Sequence, residues 1–360
     1  MKKRNHILLT LTLAAIAVAA ITLTSTAADA PAISKPDGKP ANMTKPVQVF
    51  ILMGQSNMVG LGNLATLDAA VKTKGKYPYL ADDAGAWTVR KDVRNVFMMT
   101  LKLQHNDWMS VTNRKTIGPE YGIGHVVGEA VDAPVMILKS CIGNRSLGWD
   151  LLPPGSERFE EGGKVYPGYK EKPDSWPADP AKGKATEPPP WLDKAGKPID
   201  WYAGKQYDDD VTGAKQVLAD LKTYYPDATK YEIAGFFFWQ GEKDGGNPVH
   251  SAHYEQNLVA FIKSVRKDFN APNAKFVLGT LGEAVKGSDG NGGLVLNAQL
   301  AVDGKNGKYP EFKGNVATVY TNPLSLGGSG NGHYGGNAET YMNVGEAMGR
   351  AMVELLGGGK

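Results

Sequence analysis

Five short apolar runs, each ending in a polar, mostly glycine-containing turn, restrict this chain to few folds. The first is Val47-Gln48-Val49-Phe50-Ile51-Leu52-Met53, which runs straight into Gly54-Gln55-Ser56-Asn57-Met58. The others span residues 133–140, 231–239, 275–281 and 316–320. A strand that is apolar along its whole length has no wet face, so it belongs in a parallel sheet covered by helices on both sides. Helical patterns fall between the runs, at residues 118–131, 208–225, 251–269 and 338–356. Strands alternating with helices predict an α/β/α sandwich with right-handed crossovers, and about five parallel strands suit a flavodoxin-like order. A β-hairpin excursion is expected where residues 93–99 and 108–111 flank a polar His105-Asn106-Asp107.

The termini and one insertion frame this domain. Lys2, Lys3 and Arg4 precede an apolar run from Ile7 to Leu23, followed by small residues. This is the layout of a secretory signal peptide over residues 1–27, with cleavage expected after Ala27 and a retained membrane anchor as the alternative. A Pro- and Lys-rich leader over residues 28–45 comes next, and the catalytic domain is expected over residues 46–357. The 360-residue chain carries a formal charge of +3, and loss of Lys2, Lys3 and Arg4 with the signal brings it to zero. A neutral mature protein offers no basic field for nucleic acid or anionic membranes, so neither is an expected partner, and a neutral substrate is. Cys141 is the only cysteine, which rules out an internal disulfide despite the expected export to the periplasm or medium. Residues 151–204 are rich in Pro, Gly and Lys, but Trp176, Trp191 and Trp201 argue for a surface flap rather than a structureless loop.

Polar chemistry gathers just beyond the carboxyl ends of the predicted strands, where parallel sheets bind ligands. Ser56 follows the first, Gly143 and Asn144 the second, Gln240 and Glu242 the third, and His333 the fifth. Serine is a weak nucleophile until a base takes its proton, and histidine does so best near neutral pH. Ser56 and His333 are the expected pair. A carboxylate must then hold the imidazole, and Glu242 is the first candidate with Asp244 behind it. Attack on a carbonyl builds negative charge on oxygen. The backbone N–H groups of Ser56 and Gly143, with the side-chain amide of Gln240 or Asn144, are suited to hold it.

Five blocks together resemble the sialate O-acetylesterase family of SGNH hydrolases, which includes the acetylxylan esterases of carbohydrate esterase family six. They are Gly54-Gln55-Ser56-Asn57-Met58, Gly118-Pro119-Glu120, Lys139-Ser140-Cys141-Ile142-Gly143, Trp239-Gln240-Gly241-Glu242-Lys243-Asp244 and the C-terminal His333. They stand in the family's order across residues 47–356. The resemblance implies a flavodoxin-like three-layer α/β/α sandwich, deacetylation of carbohydrates and no cofactor. It implies Ser56 as nucleophile, His333 as base, and Gly143 and Gln240 at oxyanion positions. The family often has Asp three residues before the histidine. Here Gly330 stands there, which transfers the orienting role to Glu242.

Gln55, Asn57, Glu120, Asn144, Arg145 and Asp244 are further candidates to support the site or touch the substrate. Arg145 is suited to pair a substrate carboxylate or, more simply, a structural acid. His250 and His253 are too few for a metal site, and Asp208-Asp209-Asp210 is more simply a helix N-terminus than a calcium site, so no metal is expected. The expected activity is an exported serine esterase acting on an O-acetylated carbohydrate, of sialic acid or plant or algal polysaccharide type. The competing reading is a non-catalytic carbohydrate-binding protein on the same scaffold. The sequence does not decide the oligomeric state.

Overall fold

Seven strands of the computed structural model form one sheet: β1 (Val47–Gly54), β2 (Arg90–Met99), β3 (Lys102–Met109), β4 (Val135–Ser140), β5 (Tyr231–Trp239), β6 (Lys275–Gly279) and β7 (Val316–Val319). Their side-by-side order is β7-β6-β5-β1-β4-β2-β3. The structure describes residues 32–178 and 188–358. The described residues from Ile33 onward form one compact unit. The expected signal peptide and the start of the leader lie outside the described residues, and residues 32–46 carry no helix or strand.

The five strands expected from the apolar runs are β1, β4, β5, β6 and β7. They are mutually parallel and follow the flavodoxin-like order, with β4 on one side of β1 and β5, β6 and β7 on the other. The expected number of about five is corrected to seven. The hairpin β2–β3 is not an excursion: β2 pairs in parallel with β4 over Val93–Met98, and β3 closes the edge antiparallel to β2. Val93, Val96 and Phe97 are buried and extend the core, whereas the Lys102–Gln104 stretch of β3 is exposed, as an edge strand should be.

Side-chain alternation explains why the central strands are apolar throughout. In β1, Val49, Ile51 and Met53 join one core cluster while Phe50 and Leu52 join the other. In β5, Phe236 and Phe238 face the first cluster while Phe237 and Trp239 face the second. The helices Lys205–Ala219, Pro248–Asp268 and Gly290–Ala301 cover the first face, and Glu120–Ala130 and Ala338–Leu355 cover the second. Truncating any of these fully buried rings would cost about 3–5 kcal/mol. The Gly290–Ala301 helix is an addition to the sequence reading, because it starts in Gly290-Asn291-Gly292-Gly293, a run of poor helix formers.

Within the insertion, Phe159–Glu161, Lys164–Tyr166 and Trp176–Pro177 form a small antiparallel sheet. Trp149, Leu152 and Ala203 make a separate apolar cluster, against which Trp191 and Trp201 pack. The tryptophans thus supply a small core of the flap's own. Among the described residues, no helix is long and apolar enough to cross a membrane.

Candidate active site

Successive strands leave β1 on opposite sides, β4 on one and β5 on the other, so a crevice opens at the carboxyl end of β1. Gly54 ends the strand with φ +148°. A Cβ there would stand 2.3 Å from the carbonyl oxygen of Trp239, so only glycine lets β1 and β5 come this close. The Gln55 amide donates to that same oxygen, and Ser56 opens a single helical turn, Ser56–Val59. Its hydroxyl is therefore fixed at the mouth of the crevice.

His333 arrives from the far end of the sheet on a glycine-rich loop. It has φ +54°, as does Tyr334 after it, a left-handed conformation that non-glycine residues seldom adopt. Buried packing holds this strained turn, with the Tyr334 ring stacked on Trp239 at 5.8 Å. The result is that His333 Nε2 lies 2.9 Å from Ser56 Oγ, across 277 residues of sequence. Gly143 stands against the same serine: a Cβ at Gly143 would lie 3.3 Å from Ser56 Cβ. Neither the Ser56 nor the Gly143 amide donates to a backbone carbonyl among the turn and loop hydrogen bonds of the described residues.

The acid differs from expectation. Among the described residues no hydrogen bond joins Glu242 to His333. Both carboxylate oxygens of Glu242 are already engaged, Oε2 by Gln55 Nε2 at 2.5 Å and Oε1 by Asn57 Nδ2 at 2.6 Å. Asn57 Nδ2 also donates to the carbonyl of Gly330 at 3.0 Å, and Tyr341 donates to Asn57 Oδ1. Glu242 thus braces both residues flanking Ser56 and, through Asn57, the loop that carries His333. Burial pushes the Glu242 carboxyl up to about 7, and the neighbouring Glu283 adds to the effect.

Glu283 is a residue the sequence reading missed. It accepts the Gly330 amide at 2.9 Å, and Gly330 in turn accepts the His333 amide at 3.0 Å. A Cβ at Gly330 would lie 2.6 Å from a carboxylate oxygen of Glu242 and 2.6 Å from one of Glu283. The two glutamates therefore crowd the place from which an aspartate would project three residues before the histidine. The one available signal was the glycine at that position.

Gln240 is corrected as an oxyanion donor. Its amide nitrogen donates to the carbonyl of Arg145 at 2.8 Å and to Asp244 Oδ2 at 2.6 Å, and its Oε1 accepts from Tyr254. Two donor hydrogens meet two acceptors, which leaves nothing to offer a substrate. Asn144 is exposed beside Gly143 and lines the crevice. Asp244 is fully buried and does not line the crevice, accepting the Leu147 and Gly148 amides at 2.8 Å each, and burial pushes its carboxyl up to about 6. Glu120 lies outside the crevice, in a buried ion pair with Lys139 at 3.0 Å. Arg145 lies over the Trp201 ring at 4.5 Å and 3.9 Å from Asp150, so it is held as a structural cation.

The crevice encloses about 740 Å³ over Ser56 and His333. Trp149, Asp150, Asp174, Lys243, Asn247 and His250 form its outer wall. No group of three or more His, Cys, Asp or Glu side chains suited to a metal occurs among the described residues.

Residues 192–354 match the family described as carbohydrate esterase, sialic acid-specific acetylesterase, a segment that holds Gln240, Glu242, Glu283 and His333 but not Ser56 or Gly143. No curated protein matches the chain. In fold the chain is similar to a protein from Arabidopsis thaliana, at 16% identity and a TM-score of 0.50, with 86% of this chain and 99% of that one covered. A carbohydrate acetylesterase from Xanthomonas citri, XAC1771, is similar at 11% identity and a TM-score of 0.45, over 86% of this chain and 55% of that one. NanS is similar at 13% identity and a TM-score of 0.34, over 69% of each chain.

Proposed function

We propose that this chain, whose residues 192–354 match the sialic acid-specific carbohydrate acetylesterase family, is an exported serine esterase that removes O-acetyl groups from a carbohydrate. The observation that carries the reading is the 2.9 Å contact between Ser56 Oγ and His333 Nε2 at the carboxyl end of a central parallel strand. In this mechanism His333 takes the Ser56 proton as Oγ attacks the acetyl carbonyl. The N–H groups of Ser56 and Gly143, with the Asn144 side-chain amide, receive the negative charge on the carbonyl oxygen. Collapse expels the sugar oxygen, which takes the proton from His333 and leaves acetyl on Ser56. Water then enters, gives its proton to His333 and releases acetate by the same steps in reverse.

Glu242 is a positioning residue in this scheme. It acts through Gln55 and Asn57, which hold the serine turn and the Gly330 carbonyl in one register. Export rests on the basic and apolar pattern of residues 1–27.

Ser56→Ala and His333→Ala should each lower kcat for aryl acetate hydrolysis by on the order of 10⁴-fold or more. A fluorophosphonate should label Ser56 and nothing else. One observation favours the second reading, a carbohydrate binder: among the described residues no carboxylate hydrogen-bonds His333. Saccharide binding with neither turnover nor labelling of Ser56 would decide for it, whereas turnover unchanged in Ser56→Ala would overturn Ser56 as the nucleophile.

A further inference from the structure

The esterase reading leaves a second hollow unexplained, and the inference drawn from it rests on that reading. The hollow encloses about 390 Å³ and adjoins the crevice over Ser56, with His250 lining both. One of its walls is the insertion, through Ser156 and Phe159, and the other is the helix Pro248–Asp268, through His253, Gln256, Asn257 and Ala260. The divide between the two spaces is built, not incidental. A Cβ at Gly148 would lie 2.6 Å from the His250 ring, so glycine lets the ring pack there, and Asp244 fixes the Gly148 amide.

The hollow's chemistry is aromatic and amide-rich, with the Glu157 carboxylate in its lining. Phe159 is half-buried and stacks on His253 at 4.1 Å and on Tyr166 at 5.1 Å, so the three rings form one aromatic stack of which Phe159 and His253 line the hollow. His253 spends both ring nitrogens, on Glu161 and Gln256, each at 2.7 Å. Arg158 is paired with Glu171 at 2.6 Å. Amide side chains that both donate and accept, beside an aromatic stack, with Arg158 paired and Glu157 adding a negative charge, suit a ring of hydroxyl groups rather than a carboxylate. The outer crevice agrees in sign: Asp150, Asp174 and Glu242 line it against Lys243.

We propose that this hollow is a subsite for a neighbouring sugar, so that the protein binds an uncharged acetylated oligosaccharide across His250, with the acetylated unit over Ser56. A single acetylated sugar would leave the hollow empty.

The test compares kcat/KM for acetylated xylotetraose with that for acetylated xylose, taken as a ratio so that any general loss of activity cancels. The wild type should favour the chain by about tenfold or more, the worth of one well-stacked aromatic contact. Phe159→Ala should bring the ratio to near one. Since that change can loosen the flap, Ala260→Trp provides a second variant, filling the hollow from the helix side. Equal values for the two substrates in the wild type, a ratio kept in both variants, or faster turnover of O-acetylated sialic acid than of the neutral chain would overturn the proposal. Calorimetry of unacetylated xylotetraose on Ser56→Ala separates this inference from the reading beneath it. Absence of aryl acetate hydrolysis in the wild type breaks the esterase reading, whereas binding that Ala260→Trp leaves unchanged breaks the subsite.

Discussion

Glu242 and Asp244 stand two residues apart in the same turn of helix after β5, are both buried, and both have their carboxyls pushed upward by burial, yet they serve opposite sides of the crevice. Glu242 accepts from the side-chain amides of Gln55 and Asn57, the two neighbours of Ser56. Asp244 accepts from the backbone amides of Leu147 and Gly148 and from Gln240, and so anchors the loop that begins the outer wall. A buried carboxylate is costly unless its oxygens are well used, and each of these uses both. What differs is the partner. Side chains beside the serine tie Glu242 to the geometry of the Ser56–His333 pair, whereas backbone amides of a wall loop tie Asp244 to architecture.

Substitutions that keep shape but change hydrogen-bonding sense should break the pair apart. Glu242→Gln places an amide nitrogen against one of two donors, so Gln55 must reverse its side-chain amide or one of the two bonds that brace the serine turn is lost. The expected result is a fall in kcat on the order of 10²-fold, less than the roughly 10⁴-fold seen when an acid that touches the histidine is neutralised. Asp244→Asn with its oxygen at the Oδ2 position still serves Leu147 and Gln240 but sets its amide nitrogen against the Gly148 N–H, and should destabilise the fold by about 2 kcal/mol, one charge-assisted hydrogen bond being lost. Denaturant melts and aryl acetate kinetics on both variants check this. Equal loss of stability in the two, with equal kcat, would show that the turn acts as one unit.

The same comparison explains how far the sequence could be read. Ser56 and His333 were legible because a parallel sheet brings the turns after its strands to one edge, whatever their distance along the chain. Gln240 stands at that edge too, but which acceptors its two N–H groups meet depends on the Arg145 carbonyl and Asp244, and no local pattern encodes that. Glu242 was legible as an acid near the serine but not as one that works through Gln55 and Asn57. Glu283 lies in an exposed turn after β6 with no motif around it, so only the crowding at Gly330 reveals it. In the fold, the apolar runs announced five strands. The hairpin was visible as a hairpin, but its pairing with β4 was not, since periodicity carries no information about neighbours.

Titration offers a milder way to separate the two acids. Both carboxyls are raised above their ordinary range, to about 7 for Glu242 and about 6 for Asp244, so the folded state resists their ionisation. Their contribution to stability is therefore fully present below the unfolded-state values and is lost as pH rises, first through about 6 and then through about 7. Thermal melts from pH 5 to pH 8 should show Tm falling through this range in the wild type. Glu242→Gln should flatten the decline above about 6 and make it shallower below, where Asp244 alone still contributes. A Tm profile whose slope is the same in wild type and variant would mean that Glu242 does not titrate there.

The smallest expected effect sharpens the Glu242 side alone. Glu283→Gln keeps an oxygen for the Gly330 amide, so the loop carrying His333 should hold its place and kcat at pH 8 should fall by no more than about threefold, the loss of charge on one hydrogen bond. Its charge, however, is the second cause of the raised Glu242 carboxyl, after burial. Removing that charge should move the upper break of the Tm profile to lower pH, while Glu283→Ala, which also removes the acceptor, should lower kcat further without moving the break again. If Glu283→Gln shifts nothing while Glu283→Ala lowers kcat, Glu283 serves His333 as a backbone anchor only, and burial by itself sets the proton affinity of Glu242.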